Sequence, residues 1–305
     1  MAGPFLKPPL RAAWWGGRGT VLGVPYRSRM GYFTRRVAAS PFARSAALPG
    51  RALMVAAYDA KVLGRSTRWL VRSREHTNFT YDLTARNREH LAWWVARVAN
   101  VEDIEQVRGF MRELDDDADL KAHIRQTTMR SDRRGLADRD VKYGRRVGWY
   151  ALTRALQPEH IVETGTDKGL GSCVFAAALL RNGHGRVTTV DTNPDSGYLV
   201  TGKYAGVVDR VIGDSIDVLG SGATPVDLFL HDSLHTYEHE TGELTAVASH
   251  LSSGALVLSD NAHLSDALLV WAGQTGRRFS FFREEPCSHW YPGDGIGAAS
   301  NVETV

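Results

Sequence analysis

The sequence predicts an α/β fold: a doubly wound, mostly parallel sheet with helices on both faces. From about residue 156 onward, short apolar segments alternate with helical ones, which is typical of strand–helix–strand units. The first predicted strand runs into a turn that holds three glycines within seven residues, Gly165 to Gly171. Such a turn lets the backbone lie against a bulky ligand at the end of a parallel strand. The two observations together indicate a ligand-binding sheet.

Residues 156–305 hold the predicted elements of this sheet. Strands are expected at His160–Glu163, Arg186–Val190, Asp209–Ile212, Val226–Leu230, Ala255–Leu258 and Arg278–Phe282. Helices are expected near 171–182, 196–205, 215–219, 236–251 and 263–275. Strands that are mostly apolar indicate a sheet buried on both faces.

The part of the chain before the sheet divides into two segments. Residues 1–50 are rich in proline and glycine, and residues 1–58 hold nine Lys or Arg and no acid, so a basic, poorly ordered arm is expected over 1–50. Weak contact with an anionic surface and a targeting role are alternatives, although the prolines and glycines interrupt any long amphipathic helix. Over 51–155 apolar residues recur at helical spacing, as in Leu91, Trp94 and Val98, which predicts a helical N-terminal region.

Size and composition are those of an ordinary globular protein. The chain has 305 residues, of which 43% are hydrophobic and 23% charged. No apolar run approaches the roughly 20 residues that span a bilayer. The two cysteines, Cys173 and Cys287, have no metal-binding spacing, which fits a reducing compartment, so a cytoplasmic protein without a transmembrane segment is expected.

An acid ends the second predicted strand. Asp191 follows Val187–Val190, and a carboxylate at that point can accept hydrogen bonds from the two hydroxyls of a ribose. The ligand is therefore expected to be an adenosine-containing cofactor. Asp191 could instead be a turn residue before Asn193-Pro194, and Asp214 could be the N-cap of the short helix 215–219.

The C-terminal half resembles the class I S-adenosylmethionine-dependent methyltransferases over about 150 of the 305 residues. The resemblance is carried by the acid-led glycine loop 163–169 and the nearby Ser172, although Asp167 stands where the family often has a glycine. It implies a seven-stranded, Rossmann-like methyltransferase sheet that binds S-adenosylmethionine, with Asp191 at the ribose and Asp214 at the adenine. The cofactor-binding residues it implies are Glu163, Gly165, Thr166, Gly169, Ser172, Asp191, Asp214, Ser215 and Asp232.

Polar residues follow the fourth and fifth predicted strands, where open α/β sheets place their ligands. Asp232 follows the fourth, and Asp260-Asn261 follows the fifth. They resemble the divalent-cation site of catechol-type O-methyltransferases, and three oxygen ligands suit Mg²⁺. The surrounding residues 231–238 and 259–261 also resemble a bacterial branch of the superfamily. Asp260 could instead cap a helix and Asn261 could lie in a turn, and a register shift of one residue would make His231 the first ligand.

Two histidines are candidate catalytic bases. His235 lies three residues after Asp232, where catechol-type enzymes carry a lysine, and an unperturbed pKa of about 6.5 suits proton removal near neutral pH. His263 is the second candidate, and either could instead be a surface or capping residue.

Arg145 or Arg146 could pair with the cofactor carboxylate or could lie on a solvated helix face.

The expected function is cation-assisted methylation of a small-molecule hydroxyl, with residues 289–291 at the rim of the acceptor pocket or in the core. An NAD(P) oxidoreductase would share the glycine turn and the ribose acid but would not explain Asp260-Asn261. A non-enzymatic protein that binds nucleic acid or a membrane through the basic arm is the other alternative. No specific nucleic-acid partner is expected, since residues 231–234 lack the Asn/Asp-Pro-Pro-aromatic motif of base methyltransferases. The helical region with Trp93-Trp94 could cover the active site or form a homodimer face.

Overall fold

In the part of the chain that the structure describes, seven strands form one sheet, in the order β3-β2-β1-β4-β5-β7-β6. A computed structural model of the chain describes residues 39–76, 79–222 and 224–301. The strands are β1 (His160–Thr164), β2 (Arg186–Asp191), β3 (Val208–Ile212), β4 (Val226–His231), β5 (Leu251–Ser259), β6 (Arg278–Arg283) and β7 (Gly295–Ser300). The first five strands are parallel, and β7 runs antiparallel between β5 and β6. The predicted fold, a doubly wound and mostly parallel seven-stranded sheet of the Rossmann-like methyltransferase type, is confirmed.

The register of the sheet brings the predicted ligand-binding residues to one edge. Thr164 of β1 pairs with Val190 of β2 and with His231 of β4, and His231 pairs with Ser259 of β5. The residues that follow these strand ends therefore leave the sheet side by side. This edge is the carboxyl end of the parallel strands, the usual ligand position in open α/β sheets.

Helices cover both faces of the sheet. They are α5 (Arg146–Leu156), α6 (Leu170–Asn182), α7 (Ser215–Gly220), α8 (Tyr237–Val247) and α9 (Ala267–Gln274). Side chains alternate across a strand, so Leu228 and Leu230 of β4 join one hydrophobic core, which contains Phe175 of α6. Phe229, between them, joins the other core, which contains Trp271 of α9. The two cores fix the strand ends from both sides.

Four helices precede the sheet among the described residues: α1 (Ala43–Arg72), α2 (Ala85–Val98), α3 (Ile104–Asp115) and α4 (Ala118–Arg130). The chain divides into two compact units, residues 1–61 and 62–305. In the first unit, α1 begins inside the segment 1–50 for which a poorly ordered arm was predicted; residues 1–38 of that segment lie outside the described residues. In the second unit, Leu91 of α2 is fully buried, and Trp94 and Val98 of the same helix are buried too, as their helical spacing predicted.

Two sequence predictions about elements differ from the structure. The helix expected at 196–205 is a loop that ends in a single 3₁₀ turn, Tyr204–Gly206, because Gly197 and Gly202 adopt left-handed φ angles of 73° and 58°. Strand β7 was not predicted, since its sequence is rich in glycine and alanine. Its glycines are needed: a Cβ on Gly295 would lie 2.2 Å from the ring of Phe281.

Within the described ranges, no helix combines the length and apolar character needed to cross a bilayer.

Candidate active site

A cavity of about 330 Å³ lies at the carboxyl ends of β1, β4 and β5. It is lined by Phe79, Tyr81, Arg145, Arg146, Glu163, Gly165, Thr166, Asp167, Leu170, Gly171, Asp232, Ser233, His235, Asp260, Asn261, Tyr291 and Asp294. The structure thus brings together most of the glycine loop, the candidate cation ligands and one of the two candidate bases.

The glycine loop forms one wall of this cavity. Gly165 has a φ of 86°, and a Cβ on it would lie 1.9 Å from the carbonyl oxygen of Asp232. Only glycine allows the end of β1 to approach the end of β4 so closely. Gly169, with a φ of 87°, is the N-cap residue just before α6 and does not line the cavity. The loop therefore follows the backbone path that the sequence predicted.

Glu163 is the acid that leads the glycine loop, and it is almost entirely buried. Its carboxylate accepts hydrogen bonds from Ser172 and, at 2.8 Å, from Thr189. Burial raises the pKa of Glu163 to about 7, although these two hydrogen bonds oppose the shift. Ser172 therefore acts on the cavity through Glu163, since Ser172 itself does not line it.

Three predicted cofactor residues contact other protein groups and do not line the cavity. Asp191 accepts hydrogen bonds from the backbone N–H of Asp167 at 3.0 Å and of Asn193 at 2.8 Å, so it shapes the glycine loop. Asp214 caps α7 through the N–H of residue 216 at 2.9 Å. Ser215 is buried and donates to Glu243. The ribose and adenine roles of these residues remain predictions, whereas the capping alternative for Asp214 is observed.

Two carboxylates from neighbouring strand ends meet in the cavity. One ligand atom from each of Asp232, His235 and Asp260 lies within 4.8 Å of the others. Burial and the nearby carboxylate of Asp260 raise the pKa of Asp232 well above its ordinary value. Burial would also raise the pKa of Asp260, but the guanidinium of Arg145 holds it below its ordinary value. The pair therefore retains a proton more readily than two isolated carboxylates would.

Arg145 holds Asp260 through both carboxylate oxygens. The same guanidinium donates to Glu284 at 3.0 Å and to the hydroxyl of Tyr81 at 3.0 Å. Arg145 is therefore engaged within the protein, which leaves Arg146 as the candidate for the cofactor carboxylate. Arg146 lines the cavity, and its Nε is buried without a hydrogen-bond partner among the described residues.

The donor set at the strand ends fits a divalent cation. Asn261 has a left-handed φ of 53°, and its Oδ1 is buried with no hydrogen-bond partner in the described part of the chain. The carboxylates of Asp232 and Asp260 add hard oxygen ligands beside it. The ion pair with Arg145 does not exhaust Asp260, because each carboxylate oxygen has two lone pairs.

The two candidate bases occupy different positions. His235 lines the cavity, with its Nε2 3.8 Å from a carboxylate oxygen of Asp232. Burial lowers the pKa of His235 to about 4, so the ring is neutral at physiological pH but less basic than the sequence suggested. His263 does not line the cavity; its Nε2 lies 3.2 Å from Asp294, which does.

His231 belongs to a buried network behind the cavity wall. Its Nδ1 lies 2.6 Å from Glu243 of α8, and Thr164 and Ser233 donate to the same carboxylate at 2.8 and 2.7 Å. Burial would raise the pKa of Glu243, but the hydrogen bonds from His231 and its neighbours lower it to about 2. Asp232 rather than His231 therefore lines the cavity, and His231 anchors the end of β4 to α8.

Several cavity residues were not singled out from the sequence. Tyr81 and Asp294 line the cavity but come from segments distant from the motifs, and the hydroxyl of Tyr81 donates at 2.9 Å to Glu284, which is buried and does not line the cavity. No spacing rule links residues 203 positions apart, as Tyr81 and Glu284 are. Tyr291 lines the cavity, as expected for the 289–291 segment at its rim.

Residues 162–262 match a family model described as a methyltransferase domain. The match spans the glycine loop, Asp191, Asp232 and Asp260, so the methyltransferase resemblance predicted from these motifs is confirmed. Over this range the chain is therefore similar to methyltransferase domains. No curated protein matches the chain.

Solved structures similar to this chain include three methyltransferases. The O-methyltransferase TomG from Streptomyces achromogenes, in complex with SAM, is 18% identical, with 61% of this chain and 91% of that chain covered and a TM-score of 0.47. An O-methyltransferase from Bacillus cereus, in complex with SAH, is 14% identical, with 70% and 97% covered and a TM-score of 0.48. A methyltransferase from Geobacter sulfurreducens is 18% identical, with 65% and 98% covered and a TM-score of 0.45.

Proposed function

We propose that the protein transfers a methyl group from S-adenosylmethionine to a hydroxyl of a small molecule, with a divalent cation bound at the site. The observation that carries this proposal is the convergence of the glycine loop, Asp232 and Asp260-Asn261 on one cavity. A glycine loop alone would serve many nucleotides. The side-chain oxygens after β4 and β5 could hold a cation, and an acceptor hydroxyl bound to that cation would lose its proton more easily.

The charge of the cavity supports a cationic cofactor and a cation. Five acids and two arginines line it: Glu163, Asp167, Asp232, Asp260, Asp294, Arg145 and Arg146. S-adenosylmethionine brings a positively charged sulfonium whose methyl group is the one transferred. Its ammonium group would pair with an acid, for which Glu163 is our candidate. Its carboxylate would pair with a guanidinium, for which Arg146 is our candidate.

Different residues would bind the cation and accept the proton. Asp232, Asp260 and Asn261 would hold Mg²⁺, which would lower the pKa of an acceptor hydroxyl and fix its direction. His235 is neutral above about pH 4, and its buried Nδ1 has no hydrogen-bond partner among the described residues, so the ring can accept the proton. An imidazole of such low pKa is a weak base, and it therefore needs an acidified hydroxyl as its proton donor.

The cofactor can be identified by calorimetry of the full chain. We expect S-adenosylhomocysteine to bind, whereas NAD should show no heat of binding. Saturable binding of NAD in place of S-adenosylhomocysteine would support the oxidoreductase alternative and overturn the proposal.

The role of Asp232 can be separated from cofactor binding with Asp232→Asn. With S-adenosylmethionine, Mg²⁺ and a panel of hydroxyl acceptors, we expect turnover to fall by about a hundredfold or more, because a cation ligand is lost. The dissociation constant of S-adenosylhomocysteine should change by less than about threefold. Asp217→Asn, at an exposed position outside the cavity, is the matched control. Full turnover of the wild type in excess chelator would exclude the cation from the mechanism.

A further inference from the structure

A second, basic cavity lies beside the candidate active site within residues 62–305. Its volume is about 500 Å³, and it is formed by the end of α1, the segment 138–142 and the segment 288–289. Among the described residues, six cationic side chains line it, together with two acids, Asp138 and Asp140. The cations are Arg65, Arg68, Arg72, Arg74, Arg139 and Lys142.

The cationic side chains of this basic cavity are available to a ligand. None of the six forms an ion pair with, or donates a side-chain hydrogen bond to, a described residue. One oxygen of Asp138 accepts a hydrogen bond from the backbone N–H of Arg74 at 2.8 Å. Four positive charges therefore remain after the two acids are counted against the six cations. Like charges crowded in one concave surface repel each other, and a bound anion relieves that repulsion.

Two buried donors in the wall of the basic cavity also need an acceptor. The Nδ1 of His289 accepts a hydrogen bond from the backbone N–H of Tyr291 at 3.0 Å, which assigns the ring proton to Nε2. That Nε2 and the Nε1 of Trp69 are both buried without a partner among the described residues. The two rings lie 6.0 Å apart, centroid to centroid. Burial and the charge of Lys142 lower the pKa of His289, which keeps the ring neutral.

A wall one residue thick separates the basic cavity from the candidate active site. Phe79 and Tyr81 line the active site, while Thr80 between them lines the basic cavity. In the same way, Tyr291 lines the active site and His289 the basic cavity. The rings of this wall touch, with centroids 5.5 Å apart for Tyr81 and His289. A small molecule that reaches across the wall would contact both cavities.

We propose that the basic cavity binds the phosphate or sulfate group of the methyl acceptor, whose hydroxyl enters the candidate active site. Apart from the two acids, Asp138 and Asp140, every polar group described above is a donor or a cation, and a tetrahedral oxyanion offers only acceptors. Several arginines suit such a group, because guanidinium forms paired hydrogen bonds with oxyanions. The acceptor part of this inference rests on the proposed function, whereas anion binding does not.

Anion binding is tested by titrating the full chain with inorganic phosphate, pyrophosphate and sulfate at constant ionic strength, followed by calorimetry. We expect saturable binding of the wild type and affinity about tenfold weaker in Arg68→Gln/Arg72→Gln, since about 1.4 kcal/mol corresponds to a factor of ten. Both arginines are exposed on α1, so their substitution spares the core. Arg130→Gln, at an exposed position outside the basic cavity, should bind like the wild type. Tighter binding of phosphate than of sulfate would favour a phosphate ester as the acceptor, and the reverse would favour a sulfate ester.

A second variant tests the buried donors. Trp69→Phe keeps a ring beside Phe79 and removes the Nε1 donor, so it should weaken anion binding about threefold or more. Equal affinity in wild type, Arg68→Gln/Arg72→Gln and Trp69→Phe would overturn the proposal, as would no saturable binding to the wild type. S-adenosylhomocysteine should bind all these variants equally, so a failure of the proposed function would appear in that titration instead.

Discussion

At the scale of a single residue, the raised pKa of Glu163 should make the stability of the fold depend on pH. Its pKa of about 7 in the folded chain exceeds the ordinary value of 4.5, so the folded state holds the proton more tightly than the unfolded state does. The stabilisation from this proton is fully present below pH 4.5 and is lost as the pH rises through 7. The loss amounts to about 3 kcal/mol.

The substitution Glu163→Gln removes this titration. The free energy of unfolding of the variant, measured by denaturant titration without cofactor, should therefore gain about 3 kcal/mol relative to wild type between about pH 4.5 and about pH 8. Glu238→Gln, at an exposed position, controls for loss of a charge. An unchanged difference between Glu163→Gln and wild type across this range would contradict the pKa and its cause.

The residues of the candidate site could be predicted from the sequence where they directly follow a predicted strand. Asp232, Asp260 and Asn261 could be found because a parallel sheet in register brings such positions together. The residues that pair with Asp260 could not be predicted from the sequence. Arg145 precedes β1, and its pairing with Asp260 depends on how α5 packs on the sheet, which no local pattern encodes. The low pKa of His235 was missed for the same reason, since burial is a property of the folded molecule.

At the scale of elements, the β1–α6 turn depends on one missing side chain. Gly165 and Gly183 have nearly equal φ angles of 86° and 83°, but only Gly165 faces a clash. A Cβ on Gly183 would meet nothing within 4 Å, whereas one on Gly165 would lie 1.9 Å from the backbone of Asp232. Substitution of Gly183 therefore tests the cost of positive φ alone, whereas substitution of Gly165 adds the cost of a steric clash with Asp232.

We expect Gly183→Ala to lower the free energy of unfolding by about 1 kcal/mol, the usual penalty for alanine at positive φ. Gly165→Ala should lower it by several times that amount and abolish binding of S-adenosylhomocysteine, because β1 and β4 must separate. Thermal unfolding and calorimetry measure the two effects. Equal destabilisation by both substitutions would show that the approach of Gly165 to Asp232 is not needed.

Elements were predictable where the hydrophobic pattern is strong. Strands β1 to β6 lie where apolar runs placed them, to within a few residues, because burial on both faces requires such runs. Strand β7 escaped since Gly295 and Gly297 pack against neighbouring side chains and carry no apolar signal of their own. The loop at 196–205 looked helical because the left-handed glycines within it were not recognised as turns.

At the scale of the molecule, one buried arginine joins distant parts of the chain. Arg145 contacts Tyr81 in the segment before α2, Asp260 after β5 and Glu284 after β6. These partners are 64, 115 and 139 residues away from it. The cluster therefore connects the helical region to the sheet edge that forms the candidate active site.

Arg145→Met should lower the free energy of unfolding by about 3–5 kcal/mol, because it leaves Asp260 and Glu284 buried without their cation. The matched control is Arg86→Gln, which breaks an ion pair with Glu285 at 2.9 Å whose side chains are 73% and 45% exposed. An exposed pair contributes about 1 kcal/mol at most, so this control should remain close to wild type. Adding Asp260→Asn to Arg145→Met should restore part of the loss, since it removes one of the buried charges. If denaturant titration found Arg145→Met no less stable than Arg86→Gln, the stabilisation of the fold by the buried ion pairs of Arg145 would be refuted.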